Sequence, residues 1–319
     1  MQKEIVLALP IYEYLTTIVV VDDSPLFAEL IRRLLGKYKN VKTFCSGEEA
    51  LSFFGFHYQE KRVNRSHFLR AVKEDESYVY ADHCPVDLNI TEIAVLRNSL
   101  DKMREVSVLI TDLNMGGMSG LELCSQLQSF PMKKILLTSS FDDLRQIVAA
   151  FNDDIIDRFI IKGQDVVGKD LCMQVDSLMR QYFIEKTQGL LAHLEADHPL
   201  PFSDEKFVMF FNEWASQNNI KEFYIIDKQG SLLTVDEREE IKYFIIHTDE
   251  SLLEFTRLHA DSPHTQKTLS DIRNRKKIPF FGIGKEAWQF DAMDWDRYLY
   301  PAKQFVGRRD YYWAEYSVT

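Results

Sequence analysis

Several kinds of segment are missing from this sequence. No stretch approaches the roughly 18 uncharged apolar residues that a membrane-spanning helix needs, so no contact with a membrane is expected. The apolar start of the chain contains Pro10 and Glu13 and lacks a small-residue cleavage site, which argues against a signal peptide. The four cysteines form no C-x-x-C pair, so neither a disulfide framework nor structural zinc is predicted. These absences together predict a cytoplasmic protein.

Positive charge is also in short supply. The chain has 38 Lys and Arg against 49 Asp and Glu, for a formal net charge of -11. An acidic surface repels phosphate backbones, and the residues after about position 196 keep this acidic excess. The same half contains no helix-turn-helix signature, no G-G-D-E-F or E-A-L signature and no H-E-x-x-H motif. DNA is therefore an unlikely partner, and an enzyme of a common output class is not expected.

What the first half does contain is a regular alternation of short apolar runs with helical periods. This alternation is typical of βαβ units and predicts an α/β fold with a doubly wound parallel sheet. Five strands are predicted, with a helix after each of the first four: Thr17–Val21, Val41–Cys45, Val106–Thr111, Lys134–Leu137 and Ile155–Ile161.

The alternation breaks once. About fifty residues separate the second helix from the strand at Val106, where a few would suffice. This stretch, at about 57–105, contains a charged run and a predicted helix over Thr91–Arg104. We interpret it as an insertion docked on a first domain that covers residues 1–165. We predict that the insertion supplies no catalytic group.

A different pattern follows the last strand of the first domain. Residues 166–198 are predicted to form a linking helix, and residues 199–319 a second domain. Three strands in succession, Phe223–Asp227, Ser231–Val235 and Ile241–His247, indicate an antiparallel meander, and helical periods surround it. The second domain is therefore predicted to be α+β with an antiparallel sheet.

Polar side chains close the strands of the first domain. Asp22 and Asp23 follow the first strand, Asp112 the third, Thr138 the fourth and Lys162 the fifth. Taken alone, Asp22 and Asp23 could be helix-capping acids, and Lys162 a surface lysine. Because the carboxyl ends of parallel strands share one edge of the sheet, their joint placement favours a site. Three carboxylates in one cleft require a divalent cation, and oxygen ligands select Mg²⁺. One carboxylate can then attack a phosphoryl group, with Lys162 and Thr138 holding its oxygens.

Four motifs at these strand ends carry a family resemblance. In order and approximate spacing, the segment from Thr16 to Gly163 without the insertion resembles a CheY-like receiver domain of two-component response regulators. The motifs are VVVDDS (Val19–Ser24), ITDLNMGGMSG (Ile110–Gly120), KILLTSS (Lys134–Ser140) and DRFIIKG (Asp157–Gly163).

The resemblance implies a role for each site residue. Asp112 would be the phosphorylated residue, and a sensor histidine kinase the phosphoryl donor. Asp23, Asp112 and the backbone carbonyl of Asn114 would ligate Mg²⁺, with Asp22 assisting. Thr138 and Lys162 would bind the phosphoryl group. Thr138 and Phe159, which lies three residues before Lys162, would form the conformational switch.

Three departures from the family pattern stand out. Gly163 follows Lys162 where the family usually has proline, and Gly116-Gly117 replaces the usual proline near Asp112. The third departure is the insertion, and with it the chain resembles a small group of quorum-sensing response regulators of the LqsR type.

The output of the second half stays open between two classes. One is an interaction module, controlled by phosphorylation, whose partner is a protein or a small ligand. The other is a domain that binds or processes a nucleotide or another small molecule, with Arg273, Arg275 and Lys285 near the ligand. The lack of a catalytic constellation favours the first class.

Homodimerisation on phosphorylation is a further prediction, and it depends on the linking helix. The helix predicted over Gln164–Glu195 has an apolar stripe longer than one domain needs, and such a stripe must be buried somewhere. Packing against the chain's own C-terminal domain is the alternative. The stripe consists of Leu171, Val175, Leu178, Tyr182, Leu190 and Leu191.

Overall fold

A computed structural model describes residues 7–59, 69–71, 86–139, 144–163, 167–195, 199–260 and 266–317. The strands are β1 (Tyr12–Glu13), β2 (Thr17–Val21), β3 (Val41–Phe44), β4 (Leu69–Ala71), β5 (Val86–Leu88), β6 (Val106–Asp112), β7 (Lys133–Thr138), β8 (Arg158–Ile161), β9 (Ile220–Ile225), β10 (Leu232–Asp236), β11 (Ile241–Thr248), β12 (Lys277–Pro279), β13 (Leu299–Pro301), β14 (Lys303–Val306) and β15 (Asp310–Ser317). The α-helices are α1 (Pro25–Leu34), α2 (Gly47–Gln59), α3 (Ile90–Val95), α4 (Gly120–Gln126), α5 (Leu144–Asn152), α6 (Val167–Glu195), α7 (Glu205–Gln217), α8 (Asp249–Leu258) and α9 (Gln266–Arg273).

The chain divides into two compact units. The first unit contains residues 15–59 and 99–186, and the second contains residues 7–14, 69–71, 86–98 and 187–317, less the gaps given above. The predicted domain boundaries differ from this division, because they assign everything up to residue 165 to the first domain. β1 instead pairs with β9, and α3 also contacts β9. Most of the predicted insertion lies outside the described residues, and the boundaries stay a prediction.

The first unit is built on a parallel sheet of five strands in the order β3-β2-β6-β7-β8. β2, with the sequence TIVVV, and β6 are buried along their whole length, because both faces of the sheet are covered. α2, α4 and α5 pack on one face, and α1 and α6 on the other. The predicted doubly wound fold is confirmed.

The helices that follow β2 and β6 start at the residues that the sequence indicates. Ser24 caps α1 by accepting a hydrogen bond from the amide of Phe27, and Pro25 occupies the first turn. Ser119 and Glu122 form a capping box at the start of α4. The residues that connect each strand to its helix, 22–24 and 113–119, lie at the carboxyl edge of the sheet.

The apolar stripe of α6 is buried within the chain itself. Leu171, Val175 and Leu178 are fully buried against the sheet of the first unit, and Tyr182 is 3% exposed. Further along the helix Leu190 is 6% exposed and Leu191 is half-buried, so most of the stripe is covered within the chain, and homodimerisation stays a prediction. Residues 164–166, where the helix was predicted to begin, lie outside the described residues.

No helix among the residues that the structure describes, α6 included, is long and apolar enough to cross a membrane.

The second unit contains an antiparallel sheet of six strands in the order β1-β9-β10-β11-β15-β14. Helix α7 packs on one face, where Phe211 and Trp214 contact Phe244, and Trp313 stacks on Phe244 at 5.2 Å between ring centroids. The predicted α+β architecture is confirmed. The helix predicted over Thr91–Arg104 is wrong in its extent, since α3 ends at Val95 and short 3-10 turns follow, at 96–98 and 100–104.

Candidate functional site

Three carboxylates meet at the carboxyl edge of the parallel sheet. Asp22, Asp23 and Asp112 each direct one carboxylate oxygen to a point where all three oxygens lie within 4.8 Å of one another. Asp22 is buried, and it accepts a hydrogen bond from the amide of Ser24 at 3.0 Å. Asp23 is exposed and accepts one from the amide of Gly116 at 3.0 Å. The structure therefore brings these three side chains together at one edge of the sheet.

Lys162 closes the same cleft from the end of β8. Its Nζ lies 2.7 Å from Asp22 Oδ2 and 2.9 Å from Asp112 Oδ1. The side chain is only 17% exposed, so these ion pairs are weakly screened by water. The backbone amide of Lys162 donates to the carbonyl oxygen of Thr138 at 2.6 Å, which links the ends of β7 and β8. One cation thus bridges two of the three carboxylates.

The other predicted site residues lie around this cluster. Thr138 is fully buried at the last position of β7, next to Lys162 in the strand pairing of β7 with β8. Asn114 is exposed, two residues after Asp112 in the loop that leads to α4. Phe159 is half-buried in β8 and packs against the core on the α2, α4 and α5 face. Their proposed roles in binding and switching stay predictions.

Burial dominates the electrostatics of Asp112. Removal from water raises the pKa of the Asp112 carboxyl above its ordinary value, and the nearby charge of Asp22 acts in the same direction. The hydrogen bond and charge of Lys162 act in the opposite direction without cancelling the effect of burial. The cluster contains three carboxylates and one ammonium group, so negative charge exceeds positive charge. A bound divalent cation would offset this excess.

Two glycines shape the loops of the cleft. A Cβ atom on Gly120 would lie 2.1 Å from the backbone oxygen of Asp112, so only glycine allows α4 to start this close to the end of β6. Gly163 has a φ of 93°, which proline cannot adopt. The departure from the family's proline after Lys162 thus has a structural explanation, because the loop follows a path open to glycine. Among the described residues no peptide bond is cis.

One aromatic side chain of the site was missed in the sequence. The Nζ of Lys162 lies 4.2 Å from the centroid of the Phe27 ring, which belongs to the first turn of α1. In the sequence, Phe27 lies three and seven positions before Leu30 and Leu34, a spacing that is typical of the core face of a helix. In the structure Leu30 is 49% exposed and Leu34 37% exposed, so that face is only partly covered. Nothing in the sequence signals that the fifth strand places a lysine beside the ring.

The donor set fits Mg²⁺. Carboxylate and carbonyl oxygens are the ligands that this hard cation prefers, and it typically binds one or two carboxylates and keeps several waters. Asp23 and Asp112 would be those carboxylates, with the backbone carbonyl of Asn114 as a third ligand and Asp22 assisting. The exposure of Asp23 and Asn114 leaves one side of the cleft open to water.

The parallel sheet and the residues at its carboxyl edge define the fold class of the first unit, which is that of a CheY-like receiver domain. Over 97% of its length the whole chain matches the structure of the Legionella pneumophila response regulator LqsR, with a TM-score of 0.76, 25% sequence identity and 89% of that chain covered. The LqsR-like layout therefore includes the antiparallel second unit as well as the receiver.

Other similarities extend over about half of the chain. The Thermotoga maritima response regulator TrrA, solved in complex with Mg²⁺ and BeF, covers 51% of this chain and 98% of its own, with 21% identity and a TM-score of 0.32. An adenylate cyclase from Rhodopirellula baltica covers 56% of this chain and 96% of its own, with 21% identity and a TM-score of 0.36. At these scores neither carries an argument. No protein-family model and no curated protein sequence matches the chain.

Proposed function

We propose that this protein is a two-component response regulator that accepts a phosphoryl group on Asp112 from a sensor histidine kinase. The observation that carries the proposal is the geometry of the cleft. Asp112 lies within 4.8 Å of two further carboxylates, and Lys162 contacts it at 2.9 Å. A nucleophilic carboxylate, an acidic cation site and a lysine in one cleft are the parts that phosphoryl transfer requires.

The transfer is a substitution at phosphorus. A carboxylate oxygen of Asp112 forms the new O–P bond, while the N–P bond to the kinase histidine breaks and the imidazole nitrogen keeps the electron pair. The charge on the phosphoryl oxygens is held by Lys162 and the Thr138 hydroxyl. Bound Mg²⁺ supplies the positive charge that such a site needs for the same oxygens. Hydrolysis of the acyl phosphate is at most a slow autodephosphorylation, so we do not propose an enzyme.

Phosphorylation with a small donor tests the proposal directly. Incubation with acetyl phosphate and Mg²⁺ should add one phosphoryl group, which intact-mass spectrometry detects as a single adduct. Asp112→Asn should take up none, because an amide oxygen is not a nucleophile of this kind. Asp153→Asn is the matched control, since Asp153 is an exposed carboxylate after α5 and should not affect uptake. Equal uptake by Asp112→Asn and the wild type would overturn the assignment.

The output step is also part of the proposal. Once Asp112 carries a phosphoryl group, Thr138 moves toward it and Phe159 follows, which changes the face formed by α5 and β8. We propose that this face alters homodimerisation or the binding of a protein or small-ligand partner. Because most of the stripe of α6 is covered within the chain, we expect the dimer contact to lie elsewhere than on that stripe. Light scattering with and without phosphodonor tests this, and a fully phosphorylated monomer at tens of micromolar would rule the dimer out.

The alternative output, a nucleotide or small-molecule site around the basic residues, gains no support from their positions. The guanidinium of Arg275 is ion-paired with Asp249 at 2.6 Å and donates to the carbonyls of Ile272 and Arg273 at the end of α9. That is a helix-terminus role. Arg273 and Lys285 are both exposed.

A further inference from the structure

The contact between Lys162 and Phe27 lies at the edge of the carboxylate cluster, because Lys162 also pairs with Asp22 and Asp112. Phe27 is half-buried, and its ring packs against the core formed by α1, α6 and the sheet. The amide of Phe27 is also held by the cap at Ser24. The ring therefore belongs to a rigid wall of the cleft, and the lysine, with its four rotatable bonds, is the flexible member of the pair.

The ammonium of Lys162 has three neighbours with fixed positions. Two are the carboxylate oxygens of Asp22 and Asp112, at 2.7 and 2.9 Å, and the third is the Phe27 ring face, whose centroid lies 4.2 Å away. An aromatic face attracts a cation through its quadrupole, and the attraction increases when water is excluded. The lysine side chain is only 17% exposed, so little water screens the attraction between its ammonium group and the ring.

We propose that Phe27 is a positioning residue for phosphoryl transfer, acting by a cation–π contact that holds the Lys162 ammonium beside Asp112. The inference rests on the proposed function of Asp112. Without the ring, the lysine can extend to solvent and must be brought back each time a phosphodonor binds. With it, the ammonium is confined to a short arc between Asp22 and Asp112. It is then in place when charge develops on the phosphoryl oxygens.

The measured reaction is phosphorylation by acetyl phosphate. An oxygen of Asp112 forms a bond to phosphorus, the bond from phosphorus to the acetyl oxygen breaks, and acetate leaves with the electron pair. If Phe27 positions Lys162, the rate of this step should depend on the electron density of the ring and not only on its shape. Ring fluorination separates the two, because it weakens the quadrupole stepwise and barely changes the size of the ring.

The experiment replaces Phe27 in the full-length chain by 4-fluoro-, 3,5-difluoro- and 3,4,5-trifluorophenylalanine. The phosphorylation rate should fall progressively, to about one third to one tenth of the wild-type rate in the trifluoro protein. In a Lys162→Gln background the same series should show no trend, because the cation is gone. A flat or rising series in the Lys162 protein overturns the inference.

A matched control exists in the same unit. The Nζ of Lys42 lies 4.7 Å from the ring centroid of Phe53, away from the cluster of carboxylates. Fluorination of Phe53 should leave the rate unchanged, and a rate that falls as in the Phe27 series would overturn the proposal.

A second readout needs no phosphorylation. The ε-methylene protons of Lys162 should show a ring-current shift that Phe27→Leu abolishes, and the absence of this shift in the wild type overturns the inference. If wild-type Asp112 takes up no phosphoryl group, both this inference and the proposed function are overturned. Wild-type uptake with a flat series overturns this inference alone.

Discussion

The two units of the chain use their buried polar groups in different ways. In the first unit, Asp22 and Asp112 share the ammonium of Lys162. In the second, the buried Asp204 accepts hydrogen bonds from the backbone amides of Lys206 and Arg308. A side-chain cation can turn to a new partner, whereas a backbone amide cannot. The comparison teaches that a buried carboxylate paired with a side-chain cation can respond to a ligand, while one paired with backbone belongs to the scaffold.

The two units also differ in the kinds of side chain that fill their cores. The first unit is filled mainly with aliphatic side chains from strands and helices on both faces of the sheet. The second is rich in aromatic contacts, such as those of Phe207, Phe211 and Trp214 around Phe244. Its buried His247 has a partner for each ring nitrogen, the Ser251 hydroxyl at 3.2 Å and the Pro279 carbonyl at 2.9 Å. Because both ring nitrogens of His247 have partners within the second unit, this buried residue does not indicate a ligand.

The sharpest test of this difference is Gly120→Ala. The added Cβ would meet the backbone oxygen of Asp112 at 2.1 Å, so α4 or the end of β6 must move. We expect a loss of about 3 kcal/mol in the free energy of unfolding, measured by denaturant titration, and slower phosphorylation. Gly116→Ala is the control, since nothing lies within 4 Å of its Cβ position. Equal stability of the two variants would contradict the close approach.

Asp23→Ala should have the next largest effect. Asp23 is the exposed member of the acidic cluster and is predicted to ligate Mg²⁺. Lys162 pairs with the other two carboxylates, those of Asp22 and Asp112. Because a hard cation loses one of very few protein oxygens, we expect Mg²⁺ affinity to fall by roughly 100-fold. Calorimetric titration of the unphosphorylated protein measures it. Asp153→Ala is the control, and an unchanged Mg²⁺ titration for Asp23→Ala would refute the site.

Much of the first unit could be predicted from the sequence because its signals are local. The apolar runs that form β2 and β6 end in aspartates, and Ser24 caps the helix that begins directly after the first of them. Since parallel strands must share an edge, local signals of this kind were enough to bring the carboxylates and Lys162 together. The contact of Phe27 with Lys162 was not predictable, because it depends on how α1 rotates against the sheet.

The second unit shows the limit of such reasoning. Its strands follow from alternation and its helices from their apolar periods, but the pairing of β1 with β9 joins residues 12–13 to residues 223–224. A two-residue strand carries no pattern strong enough to indicate a partner so far along the chain. Among the tryptophans near the C-terminus, Trp295 and Trp313 are buried, yet Trp288 is 75% exposed. Composition alone does not separate these cases.

Asp204→Ala tests the scaffold side of the comparison. The carboxylate of Asp204 caps α7 and also accepts from the Tyr311 hydroxyl at 3.1 Å. Loss of the cap and of the buried contacts should lower the free energy of unfolding by about 1 to 2 kcal/mol at pH 7, with phosphorylation unchanged. Asp204→Asn retains the shape and part of the cap, and it should cost less. A loss of phosphorylation in folded Asp204→Ala protein would contradict the division of roles.

The effect of Asp204→Ala should also depend on pH. Burial alone would raise the pKa of Asp204, but hydrogen bonds from the Arg308 amide, the Tyr311 hydroxyl and the first turn of α7 lower the pKa below its ordinary value. The folded protein therefore binds this proton less tightly than the unfolded chain. The stabilisation is present in full above the unfolded pKa of about 3.9 and is lost as the pH falls below it. Denaturant titrations at pH 7 and pH 3 should show the difference between wild type and Asp204→Ala shrinking at the lower pH.

The smallest predicted effect tests whether residues 86–98 stabilise the first unit or the second. Ile93 in α3 and Ile147 in α5 are both fully buried, but α3 contacts β9 in the second unit, whereas Ile147 belongs to the hydrophobic core of the first. Ile→Val at either position should cost about 1 kcal/mol. Hydrogen exchange then locates the loss: Ile93→Val should increase exchange of β9 amides and leave β6 amides unchanged, and Ile147→Val should do the reverse. Neither change should alter phosphorylation of Asp112. If Ile93→Val weakened protection in β6 rather than β9, the segment would belong to the receiver, as its position in the sequence first suggested.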